Sequence, residues 1–252
     1  MNMKIQIQTK TLSDALEDVH LKGKYHNGDS AKNGSLSGYA MLEVLNDTQL
    51  ALYNGDATTV CRVVIDVTEP NESDSNIAVI EIEKMLKYLK TFDDSVTIDI
   101  GDYIKLSDGT SNVSIPIVTH HPHSAMIARI QGYDIDVDNP KFGSVDFETV
   151  ILVNPDILKD AVKRCDTINN ARYRFDYDGD NLTLSSFKSE IDKIETRVIA
   201  GVEGEPSTVE VTGHFHKFFR GTTGIYLFLK DESPLVWKTD DRVLIKAPYI
   251  TR

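Results

Sequence analysis

The chain of 252 residues is long enough for one large domain or two of about 125 residues, and its 40% apolar content supplies material for buried cores. A formal net charge of -12, from 39 acidic against 27 basic residues, excludes a surface that attracts polyanions from every side, so any nucleic-acid contact must be local. Two distant cysteines, Cys61 and Cys165, exclude a disulfide framework or a zinc ribbon, and no run of about 18 apolar residues marks a helical membrane span.

The start, MNMKIQIQTK, lacks the apolar run of a signal peptide. The expectation is a soluble, cytoplasmic protein of a reducing compartment. In chain order, alternation and β-branched residues predict strands at 4 to 9, 49 to 53, 60 to 67, 96 to 100 and 112 to 118. A second series follows at 148 to 153, 172 to 177, 181 to 186, 191 to 199 and 225 to 230, with Asp-Gly or Gly-Asp turns at 108 to 109 and 178 to 180.

Four segments carry helical spacing instead. Their apolar sets are Leu12, Ala15, Leu16 and Val19; Ile82, Met85, Leu86 and Leu89; Ile157, Leu158, Ala161, Val162 and Cys165; and Phe215, Phe218 and Phe219. Pro155 and Asp156 start the third, and glycines bound the fourth, which is predicted as a helix of barely two turns. LSDALEDV from Leu12 overlays LKDAVKRC from Leu158 without gaps, and MLKYLK from Met85 overlays FHKFFR from Phe215. The order and spacing of the two matches predict a duplicated unit, with halves at 1–118 and 148–252. Residues 119–147 between them show no sustained period and read as a long connector.

On the second helix Lys84, Lys87 and Lys90 recur every three residues, away from the apolar face. Lys159, Lys163 and Arg164 repeat the arrangement on the third helix, and Lys217 and Arg220 on the fourth. On any one helix this is an ordinary solvated face. Repetition at matched positions in an acidic chain is what backbone-only contact with DNA needs. The first helix departs from the pattern: Asp14, Glu17 and Asp18 are expected on its exposed face, with Lys10 and Lys22 only at its ends.

Other chemistry finds less support. His120, His121 and His123 invite a metal site, but neighbouring histidines point in different directions and no carboxylate or cysteine completes a spacing, so HHPHS is read as a solvated loop. His214 and His216 are expected to extend the basic face at lower pH. DIDVDN at 134 to 139 lacks the glycine and distal glutamate of a calcium loop, and DYDGDN at 176 to 181 reads as a hairpin turn. No phosphate loop, nucleophile elbow or zinc-protease motif occurs, so no catalytic constellation, cofactor or metal is expected.

NPDILKDAVKRCDTI at 154 to 168, IEKMLKYLK at 82 to 90 and IYLFLKDESPLVWKTDDRVLIKAPYI at 225 to 250 resemble the sliding clamps of the proliferating-cell-nuclear-antigen type, archaeal, eukaryotic or viral. The hallmarks are the Pro-apolar-apolar step at Pro234 and the ending from Ala247 to Ile250. The resemblance implies an α+β, duplicated DNA-clamp fold: two similar domains, each with outer antiparallel sheets and two inner α-helices. Subunits would close head to tail into a homotrimeric ring around double-stranded DNA, acting as a processivity factor for a DNA polymerase and as a platform for repair enzymes. An ATP-driven clamp loader would open the ring.

By position, Lys84, Lys87, Lys90, Lys159, Lys163, Arg164, Lys217 and Arg220 would face the DNA. The same resemblance implies a docking site for short partner peptides, walled by Leu45, Leu50, Leu52, Pro234, Ile245 and Ala247, under a lid from Met126, Ile127 and Ile130. Ring closure would pair 112 to 118 of one subunit with 191 to 199 of the next, and Pro116 removes one donor from the first of these strands. The alternative expectation is a clamp-like scaffold or checkpoint-type subunit that assembles with non-identical partners. A metal-dependent enzyme built on the histidine connector would require bound metal.

Overall fold

The computed structural model describes residues 3–21, 38–68, 77–131, 134–169, 172–200 and 204–250. Lys22 lies outside the described residues. These residues divide into two units, one holding 3–20 and 38–131 and the other Leu21 and the described residues of 134–250. The division falls inside the connector, whose first part belongs to the first unit and whose second part belongs to the second.

In the first unit, β1 (Met3–Gln8) leads directly into α1 (Thr9–His20), followed by β2 (Tyr39–Asn46), β3 (Gln49–Gly55) and β4 (Thr59–Asp66). The motif then repeats as β5 (Ile77–Glu81), α2 (Ile82–Leu89), β6 (Ser95–Ile100), β7 (Tyr103–Ser107) and β8 (Asn112–Pro116). One sheet has the order β1-β6-β7-β8, and a second layer has the order β5-β2-β3-β4. Alternation places Ile5 and Ile7 of β1 against the core with Val96 and Ile98 of β6, while Lys4 and Gln8 face outward. On α1 the predicted set Leu12, Ala15, Leu16 and Val19 is buried, each large member contributing about 1.5–3 kcal/mol on removal from water. The fully buried Asn54 of β3 donates from Nδ2 to the Val19 carbonyl at 3.0 Å, satisfying one of the orphan carbonyls at the end of α1 and fixing the helix to the sheet.

The second unit uses the same plan: β11 (Thr149–Val153), α4 (Pro155–Asp166), β12 (Arg172–Tyr177), β13 (Asn181–Phe187), β14 (Lys193–Ala200), β15 (Ser207–Thr212), a 3-10 helix (His216–Phe219), β16 (Ile225–Leu229), β17 (Leu235–Lys238) and β18 (Arg242–Lys246). Its strand orders, β11-β16-β17-β18 and β15-β12-β13-β14, correspond to those of the first unit strand for strand. The two helix overlays read from the sequence join equivalent positions in this plan.

The fourth predicted helix is a correction. Instead of two α-helical turns, the chain makes one 3-10 helix of four residues at His216–Phe219. Gly213 and Gly221 bracket it at φ 84 and 76, and the span left between them favours the tighter form that short helices take. Aromatic packing holds it: Phe215 stacks on Trp237 at 4.9 Å and meets Tyr173 edge-on at 5.2 Å.

The connector has more order than its sequence predicts. It contains the single turn α3 (Ser124–Ile127) and a small hairpin of β9 (Lys141–Phe142) and β10 (Val145–Asp146), turning at Gly143 with φ 60. Ile127 and Ile130 are buried in the first unit, Ile135 and Phe147 in the second. Lys238 holds the second part, donating to the Ile135 carbonyl and pairing with Asp134 at 2.9 Å.

His121 overturns the expectation of a solvated histidine loop, being only 1% exposed. Its Nε2 lies 3.0 Å from the Tyr39 carbonyl and 3.2 Å from Asn54 Oδ1, and its Nδ1 accepts from the His123 N–H at 3.0 Å. These partners fix a neutral ring protonated at Nε2. Burial pushes its pKa below the ordinary 6.5, with His123 adding to the shift and the Tyr39 carbonyl opposing it. The neutral ring therefore contributes stability that is complete above 6.5 and lost as pH falls below that value toward the lower folded-state pKa. Denaturation midpoints are expected to drop on mild acidification. A His121→Gln protein should be less stable at neutral pH and show a smaller acid-induced drop; an unchanged drop would refute the assignment.

Candidate nucleic-acid interface

On α2, Ile82, Met85 and Leu89 are fully buried, which fixes the rotation of the helix and turns its lysines outward. Lys87 and Lys90 are exposed and Lys84 is half-buried, its ammonium 3.9 Å from the Glu81 carboxylate. The Lys87 ammonium also lies 5.8 Å from the centre of the Tyr88 ring.

On α4, Asn154 caps the start, its Oδ1 accepting from the N–H of Asp156 at 2.9 Å and of Ile157 at 3.4 Å, with Pro155 preset for the first turn. Leu158, Ala161, Val162 and Cys165 are buried, so Lys159, Lys163 and Arg164 stand in solvent. Lys163 and Arg164 occupy the last turn, where the helix dipole favours cations by about 0.3–1 kcal/mol each. Lys163 also lies 3.3 Å from Asp160. Lys217 and Arg220 flank the buried Phe218 and Phe219 and are exposed.

Within the first unit α1 packs against α2, and within the second α4 touches the 3-10 helix, so each unit sets its two helical segments together. The α1 surface is partly corrected. Glu17 is exposed and Asp14 pairs with Lys10, but Asp18 is 2% exposed and belongs to the interior. His214, expected on the basic face, is buried as well, at 9% exposure. Burial lowers its pKa, Lys246 and Lys217 lower it further, and Asp166 opposes them. The His216 side chain lies outside the described set.

The described residues hold no group of three or more potential metal ligands. The basic positions are long, flexible side chains, exposed except for the half-buried Lys84. Long ammonium and guanidinium side chains of this kind suit contact with anions, phosphate groups among them.

The peptide-docking candidates sort by burial. Leu45 is 40% exposed at a bulge in β2, where the pairing passes from Val44↔Leu50 to Asn46↔Gln49 and leaves Leu45 without a partner position. Leu50 and Leu52 are buried in the first-unit core, as are Ile127 and Ile130, while Met126 is half-buried. In the second unit Ile245 is buried, Pro234 half-buried and Ala247 exposed.

Arg172 is a residue that sequence reasoning missed. Its guanidinium lies between the rings of Phe187 at 4.9 Å and Tyr249 at 4.6 Å and pairs with Glu210. The Tyr249 N–H donates to the Glu210 carbonyl at 2.6 Å, so this stack fixes the segment after β18 that carries Ala247. Nothing local marks Arg172, since its partners are remote in sequence. The strands at 112 to 118 and 191 to 199 correspond to β8 and β14, each at the end of its own four-stranded sheet.

No protein-family model and no curated protein sequence matches the chain. Solved structures do. The DNA polymerase III beta subunit of Thermotoga maritima matches with a TM-score of 0.72 at 15% identity, over 99% of this chain and 66% of that one. The DNA polymerase sliding clamp of Pseudomonas aeruginosa matches with a TM-score of 0.72 at 15% identity, over 99% of this chain and 67% of that one. The PCNA of A. fulgidus, determined with the C-terminal region of FEN-1 bound, matches with a TM-score of 0.69 at 14% identity, over 99% of both chains. The chain thus spans about two thirds of the length of the bacterial subunits and nearly the whole of the archaeal one. At these identities the likeness concerns architecture, and it agrees with the strand-for-strand duplication: the chain has the DNA sliding-clamp fold.

Proposed function

We propose that the protein is a DNA sliding clamp, a non-catalytic processivity factor whose copies close into a ring around duplex DNA and tether a polymerase and other replication or repair enzymes. The observation that carries this reading is the recurrence of cations on helical segments at equivalent places in both units of a clamp fold, within a chain of net charge -12. Lys84, Lys87, Lys90, Lys159, Lys163, Arg164, Lys217 and Arg220 would contact phosphates weakly enough for the ring to slide. Ring closure would join β8 of one copy to β14 of the next. Partner peptides would dock on candidates that keep accessible surface, Leu45 and Met126 considered within the first unit and Pro234 and Ala247 considered separately within the second. An ATP-driven loader would open the ring.

Light scattering over a dilution series tests the assembly. A mass near three times 28.2 kDa that persists on dilution is expected. A persistent monomer would refute self-closure and favour the second reading, a clamp-like scaffold that assembles with non-identical partners. That reading draws on Pro116, which sits on the edge strand β8 and lacks the N–H that a pairing strand would use.

A further inference from the structure

Arg220 aside, the cations of the helical faces fall into two classes. α1, α2 and α4 each hold one lysine beside a carboxylate three or four residues away: Lys10 with Asp14, Lys84 with Glu81 at 3.9 Å, and Lys163 with Asp160 at 3.3 Å. Lys87, Lys90, Lys159, Arg164 and Lys217 have no carboxylate within ion-pair reach among the described residues.

Resting on the clamp reading, we infer that Glu81 and Asp160, with Asp14 as a third, are resident counter-ions that set how tightly the ring grips DNA. All three pairs are solvated: the side chains of Lys84 and Glu81 are 36% and 48% exposed, and those of Lys163 and Asp160 are 59% and 66% exposed. Such pairs are favoured over separated ions by no more than about fivefold. A single lysine–phosphate contact in water is of the same order, so the ammonium exchanges carboxylate for phosphate with little change in free energy. A moving duplex then leaves none of these three lysines bare behind it, because each finds its partner three or four residues away in the chain.

The exchange has a thermodynamic signature. A lysine that leaves its carboxylate to meet a phosphate releases a counter-ion from DNA, but the freed carboxylate takes one up. Paired lysines therefore add less to the salt dependence of binding than unpaired ones. The carboxylates are not needed for the fold: Glu81 stands at the start of α2 without a side-chain capping bond, and Asp160 is exposed.

The test uses the full chain and a short fluorescently labelled linear duplex, with anisotropy read over a potassium chloride series. Glu81→Gln and Asp160→Asn are each expected to tighten binding by about two- to fivefold per pair, multiplied over the copies that touch the duplex. The slope of log affinity against log salt should steepen by up to about 0.9 per pair. Asp102→Asn, which removes an exposed carboxylate from the turn between β6 and β7, controls for net charge. If the two variants match Asp102→Asn in affinity and slope, the inference is overturned. Lys84→Glu with Lys87→Glu separates it from the clamp reading: weakened binding there with no carboxylate effect defeats only the counter-ion role, whereas unchanged binding defeats both.

Discussion

A Phe215→Ala protein is expected to lose about 3–5 kcal/mol of stability in its second unit. Phe215 is fully buried and joins three aromatic partners: Trp237, stacked at 4.9 Å and 29°; Tyr173, edge-on at 5.2 Å and 86°; and Phe175 at 6.0 Å. Truncation removes the transfer energy of the ring, opens a cavity that fixed neighbours cannot fill, and forfeits about 0.5–1.5 kcal/mol for each lost aromatic pair. It would also disturb the proposed DNA contact, because Phe215 immediately precedes the 3-10 helix that carries Lys217 and adjoins Arg220. Trp237 is the only tryptophan in the chain, so its fluorescence in urea reports directly on this cluster. Phe215→Leu should recover much of the loss by refilling the volume. A loss below about 1 kcal/mol for the alanine variant would mean that this cluster does not hold the unit together.

The parts of this architecture legible in the sequence were those whose signal is local and periodic. Leu12, Leu16 and Val19, or Ile82, Met85 and Leu89, mark a helix face by spacing alone, and all are buried. Pro155 and Asp156 announce the start of α4, while the cap on Asn154 emerged only from the structure. Several strands escaped, among them β7 and β15, whose burial alternates as a half-buried strand should. In β2, Ala40, Met41 and Leu42 are buried in succession, which destroys the alternation, and β5 runs straight into α2 with no turn residue between Glu81 and Ile82. The fourth helix misled because Phe215, Phe218 and Phe219 satisfy helical spacing over a span too short to sustain it.

The basic positions were readable as a pattern, since exposure follows from helix phase once the apolar face is fixed. Their carboxylate partners lay at helical spacing too, yet spacing alone does not say which charges meet. Arg172, His121 and Lys238 were invisible because their roles depend on groups brought from other strands or from the connector.

Reversing Lys84 and Lys87 together to glutamate is expected to weaken binding to linear duplex DNA by about two orders of magnitude or more at low salt, with little change in stability. The stability argument comes first. Lys87 is exposed and Lys84 half-buried, and the residues that hold α2 are Ile82, Met85 and Leu89 on the opposite face, so the substitutions cost only the few tenths of a kcal/mol of altered i,i+3 and i,i+4 charge pairs. In the proposed ring the binding loss would be larger, because every copy would lose two attractive contacts and gain two repulsive ones, each worth about 0.2–1 kcal/mol in solvated surroundings.

Salt resolves the cause. Each phosphate contact removed should lower the slope of log affinity against log salt by about 0.9, so the variant and the parent protein converge as salt rises. Lys141→Glu with Lys188→Glu alters the net charge equally at exposed positions outside the helices and should have a much smaller effect. If that control weakened binding as much as the α2 variant, the loss would belong to the long-range field of an acidic chain, and α2 would not be where the protein meets DNA.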